Sequence, residues 1–568
     1  NVIIGSQAGA ELVGDGGDFN TLIGYAAGNA LTTGNSSIFI GHESGDGHDT
    51  ETNNLGIGRG ALGGSIAGGE YNVAVGNYSL DSLTSGDKNT AVGYQAGTAI
   101  TTGSGNTTVG SYSLDANTTA DNNTAMGQSA LGQNTTGSAN TGLGRSALTA
   151  NTEGTNNTAV GKDAMLTNTT GSGNVAVGKD ALKDCSTGSN NTAVGENALA
   201  NTTSDQNTAV GQNALLTNTS GNSNQAIGHD SLRLNTTGND NIAIGTDALR
   251  SNTEGASNIA IGHEAYDGAD TEDHNLAIGT AALGGSVAGG ESNVAIGNYS
   301  LDALTSADAC TAVGYQSGSA ITTGANNVLM GYNVGASITT GANNTFFGHQ
   351  AGDGFDTESH NLGIGVNALG GAVAGGEYNV AIGNYSLDAL TSGDRTVAVG
   401  YNAGTDIQDG VRNTFMGYEA GKSNVSGNYN VAIGYNAGTT RMSRFCTVMG
   451  YNSQITADDG EYQIVVGTDS LVSVGSGKKM TVGSSNGNDR VHLDYGTDAT
   501  WTRVSDERYK ENIQPNTDCG LDFINDLNPV TFTWKAKADI DSSLPDYDAT
   551  KLEPTYDKKM YGMIAQEV

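Results

Sequence analysis

A polar residue, two β-branched or Thr positions flanking a small one, and a glycine recur along most of the chain. Asn157-Thr158-Ala159-Val160-Gly161, Asn191-Thr192-Ala193-Val194-Gly195 and Asn241-Ile242-Ala243-Ile244-Gly245 are clear copies. The closing glycine runs from Gly5, Gly24, Gly41 and Gly58 to Gly450 and Gly467, in more than twenty-five copies, with nearly every step 16 to 18 residues. Alternation over so short a run predicts a strand. The apolar pair that follows, as in Ala198-Leu199 or Ala214-Leu215, predicts a second short strand. Segments such as Asn168-Thr169-Thr170-Gly171 and Asn235-Thr236-Thr237-Gly238 predict turns, because Asn and Gly tolerate positive φ. Each repeat therefore makes one coil of a β-solenoid, stacked on its neighbours at about 4.8 Å.

Successive strand side chains point to opposite faces, so Thr158 and Val160 share one and Ala159 takes the other. The bulkier face is expected to fill the coil. The small face, Ala in most copies and Gly at Gly56, Gly142 and Gly363, is expected to approach another chain at a three-fold axis. A coil of about 17 residues encloses little core, which favours a trimer. The Asn opening each coil is expected to stack into a ladder of amides, and Cys310 and Cys446 take its place in two coils.

Composition sharpens this picture. Of 568 residues only 36% are hydrophobic and 6% aromatic, with 86 Gly and 4 Pro, too poor for several ordinary cores but suited to a repeat. The formal charge of -35 argues against nucleic acid and against an anionic membrane as partners. No apolar run approaches the roughly 18 residues of a membrane span, so no membrane insertion is expected. Cys185, Cys310, Cys446 and Cys519 form no CxxC pair, and no cofactor is implied. Sequons such as Asn117-Thr118-Thr119 arise automatically from an Asn- and Thr-rich repeat.

His42, His229, His263 and His349 each follow a coil glycine and read as solvent-facing, without carboxylate or Cys partners at ligand spacing, so no metal site is expected. Ca²⁺ at Gly45-Asp46-Gly47 or Gly268-Ala269-Asp270 is a sharper alternative to a merely solvated acidic surface. A larger duplication places His42 to Gly103 again at His263 to Gly324 and His349 to Gly410. Each copy carries a Gly-Gly insertion, at Leu62-Gly63-Gly64, Leu283-Gly284-Gly285 and Leu369-Gly370-Gly371, which either projects toward a receptor or is neutral stalk.

These repeats resemble the heads of trimeric autotransporter adhesins, with their Ala-Ile-Gly β-roll coils, and more closely the repeat stalks of bacteriophage tail fibres. The organisation expected is a solenoid stalk over 1–470, a connector over 471–504 and a distinct module over 505–568, where Lys, Asp, Glu, Pro and aromatics replace Gly and Asn. Leu521, Ile524 and Leu527 fall at helical spacing, while Val530–Trp534 and Tyr561–Ala565 read as strands, a small α+β module.

Within that module stand Ser505-Asp506-Glu507-Arg508-Tyr509-Lys510-Glu511-Asn512-Ile513, Leu527-Asn528-Pro529-Val530-Thr531-Phe532-Thr533-Trp534-Lys535 and Gly562-Met563-Ile564-Ala565-Gln566-Glu567-Val568. Their order closely resembles the endosialidase-type intramolecular chaperone. The resemblance implies that the module drives trimer assembly and cuts itself off between Val504 and Ser505. It also implies a long helix after Val568, so the domain is expected to be truncated here. The residues suit that chemistry. Ser505 Oγ would attack the Val504 carbonyl, with Lys510 as general base if desolvation lowers its pKa and the segment turns helical after a Ser cap. Asp506 either orients Lys510 or is a first-turn carboxylate favouring the helix dipole.

The expectation is an all-β, trimeric virion fibre that attaches to a host-surface glycan or protein and joins other tail components, with single-turnover self-cleavage as its one reaction. The alternatives are a glycan-degrading spike whose catalytic module precedes Asn1, and a bacterial surface adhesin.

Overall fold

The computed structural model describes residues 1–13, 16–65, 67–455, 461–472, 478–484, 490–494, 510–515, 530–534 and 560–562. They fall in two compact units, Asn1–Arg395 and Thr396–Val568, each described by itself.

In the first unit, 23 strands of three residues, from Val2–Ile4 to Val380–Ile382, pair in sequence order. All pairings are parallel, and the register stacks like on like: Thr158 on Val175, Ala159 on Ala176, Val160 on Val177. Each coil position thereby becomes a column of equivalent side chains. The coil glycine is obligatory in this lattice. Gly161 sits at φ +143°, and a Cβ there would fall on the Gly178 carbonyl oxygen.

The expected assignment of faces is reversed. The central strand residue is the buried one, with Ala159, Ala193 and Ala243 at 0% exposure, while both flanking residues face outward. The cause is cross-section. A coil this short has room inside for an Ala and one large side chain from the turn, such as Leu182 or Leu199, and not for two β-branched residues as well.

The second strand expected at Ala198-Leu199 is a turn instead. Asn197 at φ +57° and Leu199 at φ +49° are left-handed, a conformation no strand contains. These turns stack from coil to coil, the Leu199 N–H donating to Ala214 O at 2.9 Å, and that repeated bonding keeps the unusual φ in place.

The asparagine ladder forms inside the coil. Asn157 is fully buried; its N–H donates to Asn140 Oδ1 at 3.0 Å and its Nδ2 to Gly171 O at 2.8 Å. Asn168 Nδ2 donates to Asn151 Oδ1 at 2.8 Å in a second, parallel column. Cys185 and Cys310 occupy such amide positions, and burial pushes both thiols up, Cys185 to about 11, which makes them packing groups. Asn117 is buried too and donates to Ala120 O, so its sequon is inaccessible in the folded coil.

The second unit contains parallel strands Val397–Val399, Thr414–Met416, Val431–Ile433, Thr447–Met449, Ile464–Val466 and Lys479–Gly483, the last paired antiparallel with Arg490–Asp494. Gln454–Ile455 and Leu471–Val472 form a small sheet of their own. A separate antiparallel sheet orders Lys510–Pro515, Val530–Trp534 and Met560–Gly562, so strands do form within Val530–Trp534 and at Tyr561. The helix expected around Leu521, Ile524 and Leu527 lies outside the described residues. Among the described residues no helix is long and apolar enough to cross a membrane.

Candidate functional site

The most extended chemical feature is the outward strand face. Its third position is apolar in all 23 strands of the first unit, running through Ile, Val, Met, Leu and Phe without a polar interruption. Met126, Leu143, Ile227 and Ile244 keep 37 to 43% of their surface exposed. The in-register pairing places Ile227 on Ile244 and Ile244 on Ile261, so the exposed residues form a continuous apolar stripe. Contiguous apolar surface beyond a few hundred Å² is the mark of an interface.

This stripe escaped the sequence reading because the faces were assigned by bulk. A signal for the correct assignment was present. Where the strand centre is Phe39, Phe346 or Phe415, the turn residue four places after the coil glycine is Gly45, Gly352 or Gly421, and a Cβ at each would overlap the ring. Only two residues that share one interior trade volume in this way.

Aromatic columns lie elsewhere on the coils. Tyr315, Tyr332 and His349 stack with centroids 5.4 and 5.2 Å apart and planes within 13°, and Tyr401, Tyr418, Tyr435 and Tyr451 stack likewise with planes within 17°. Tyr429, Phe445 and Tyr462 form a third column, with Arg412 over one end and Lys478 over the other. Inner rings in these stacks spend their faces on each other, so they offer a ligand their edges.

The Gly-Gly insertions are tied down rather than loose. Glu272, 3% exposed, accepts from Asp270 N, Thr271 N and the loop's Gly289 N, and Glu358 does the same for Asp356, Thr357 and Gly375. Val287 and Val373 turn inward, while Ser286, Ala288 and Gly289, and likewise Ala372, Ala374 and Gly375, are exposed around them.

The histidines behave as expected in one respect and not in another. The side chains of His42, His229 and His263 are 47 to 56% exposed, yet each has a carboxylate beside it: Glu43 at 3.2 Å, Asp230 at 3.6 Å and Glu264 at 3.6 Å. Stacking adds Asp247 from the coil between His229 and His263. Folding the sequence on its 17-residue period would have shown this. Asp46, Asp81, Asp115, Asp267, Asp302 and Asp353 share another coil position, where burial, aided by Glu43 or Glu264 in three of them, raises their carboxyls.

Of the residues assigned to self-cleavage, Val504, Ser505 and Asp506 lie outside the described residues. Lys510 opens the extended strand Lys510–Pro515, opposite Trp534, instead of ending a helical turn. Residues 505–568 match the family model for the chaperone of endosialidase. No curated protein matches the chain. A β-solenoid followed by that chaperone fits a tail fibre or spike.

Proposed function

We propose that the chain is one protomer of a homotrimeric virion tail fibre or spike that attaches to a host surface glycan or protein, assembled by its C-terminal chaperone. The observation that carries this reading is the apolar stripe on the strand face. Leaving each of its residues partly hydrated forgoes about 25 cal/mol per Å² of apolar surface. A partner able to cover 23 coils in step must repeat with the same rise, and a second copy of this chain does so by construction. Three copies in parallel around an axis close the arrangement and leave each acidic flank in water. The match at 505–568 supports the same reading, since a long uniform stripe invites pairing out of register and a dedicated chaperone at one end sets it.

Sedimentation of the full chain should give a trimer mass, and a stable monomer would overturn the proposal. Ile227→Asp, Ile244→Asp and Ile261→Asp combined should shift the population toward monomer while leaving the β circular dichroism intact. Self-cleavage rests on Ser505 and Lys510, with Asp506 in support. Mass analysis of the full-length protein should find the chain cut between Val504 and Ser505, with Ser505→Ala intact. A cut that persists in the variant removes Ser505 as nucleophile.

A further inference from the structure

We propose that His229, Asp230 and Asp247 hold one divalent transition-metal ion, of the Zn²⁺ or Co²⁺ type, that ties two consecutive coils together. Asp247 N donates to His229 O at 3.0 Å, which sets the second coil's carboxylate beside the first coil's imidazole. His229 Nδ1 lies 3.6 Å from Asp230 Oδ2, and one donor atom from each of the three residues falls within 4.8 Å of the others. Ligands around a four-coordinate ion stand about 3.3 Å apart, so separations that are at most 4.8 Å need to shrink by no more than about 1.5 Å, within reach of the three side-chain torsions. The frame beneath cannot follow, because Gly228 and Gly245 are packed against the next coil's backbone.

The donor set selects the ion. One imidazole with two carboxylates suits Zn²⁺ and its neighbours, whereas Ca²⁺ and Mg²⁺ prefer oxygen alone. The two carboxylates are the shielded partners, with side chains 12% and 22% exposed, so their attraction for a cation is weakly screened. Arg233 and Arg250 approach them from three positions along, at 3.6 and 3.8 Å, and are the cations an incoming ion would compete with.

Coils three and four turns earlier fill the same position differently. After Gly161 and Gly178 the residue is Lys, and Lys162 and Lys179 pair with Asp163 and Asp180 at 3.1 and 3.5 Å. After Gly228 the same position is His229, an imidazole where those coils carry an ammonium. The position beside these carboxylates thus holds a Lys in one part of the column and a metal-ligating side chain in another. Asp247, His263 and Glu264 form a second triad sharing Asp247, but Glu264 is 49% exposed, which makes it the weaker of two overlapping sites.

The test is Co²⁺ and Zn²⁺ titration of the untagged, chelator-stripped full chain at neutral pH, followed by calorimetry and the visible Co²⁺ spectrum. One ion per chain should bind and raise the thermal midpoint with the logarithm of its free concentration once the site is saturated. His229→Asn and Asp247→Asn should each weaken binding at least about tenfold and His263→Asn no more than about twofold. His349→Asn, on a ring stacked against Tyr332, serves as control. The absence of saturable binding would overturn the proposal, as would binding indifferent to His229→Asn. Greater sensitivity to His263 than to His229 would overturn it in favour of the neighbouring triad. Unchanged circular dichroism in each variant separates loss of the ion from loss of the coil.

Discussion

The coils at the head of the duplicated blocks, each with its strand just before the block's opening His, fill the same interior in different ways. In the first copy the core is Phe39, Gly45 and His48; in the second, Ala260, Tyr266 and Ala269; all the side chains are fully buried. The third copy returns to the first pattern with Phe346, Gly352 and Phe355, the two rings 5.2 Å apart. A large strand residue with an empty turn thus exchanges for a small strand residue with a large turn residue. What the coil conserves is volume at a fixed perimeter, and no single position carries it. The two solutions differ in polar detail. Tyr266 carries its hydroxyl into the core and satisfies it from Asn275 Nδ2 at 2.6 Å, whereas His48 brings a titratable ring against Phe39.

The sharpest way to break the comparison is to empty one interior. Tyr266→Ala leaves Ala260 and Ala269 facing a cavity and should cost about 3–5 kcal/mol, read as hydrogen-exchange protection lost around that coil. Ala260→Phe with Tyr266→Gly and Ala269→Phe installs the third copy's core. It should recover stability to within about 1.5 kcal/mol of the original, although Ala260→Phe alone overpacks.

A smaller and pH-dependent difference follows from His48. Burial, against a weaker pull from the Leu62 backbone, lowers its pKa from 6.5 to about 3. The unfolded chain therefore takes up the proton first. The neutral ring's contribution is complete above about pH 6.5 and is lost as the pH falls toward about 3, at about 1.4 kcal/mol per unit. Local exchange around Gly41 to Gly58 should steepen below neutrality in the native protein. His48→Phe, the residue the third copy carries as Phe355, should remove that slope. The smallest effect belongs to the loop clamps: Glu358→Gln should cost about 1–2 kcal/mol, confined to exchange of the Gly375 amide.

Much of the coil was legible in the chain itself. The 17-residue spacing of glycine, the strand before it and the amide ladder all follow from local rules of turn and strand chemistry that act within a single repeat. The side chains at Ala198-Leu199 misled because an apolar pair looks alike in a strand and in a tight stacked turn; only the left-handed φ of Asn197 and Leu199 separates them. The inside and outside of the strand misled for a related reason. Alternation states that two faces exist but not which one encloses the core.

By itself the sequence determined the period, the parallel like-on-like stacking that any such period enforces, and the chemical identity of the terminal module, because each is written in residues close together along the chain. The tertiary structure alone decided which strand face meets water, how volume is shared across an interior, and that His229, Asp230 and Asp247 meet. Those depend on the perimeter a closed coil encloses and on contacts one coil apart, distances that exist only once the chain has wound back on itself.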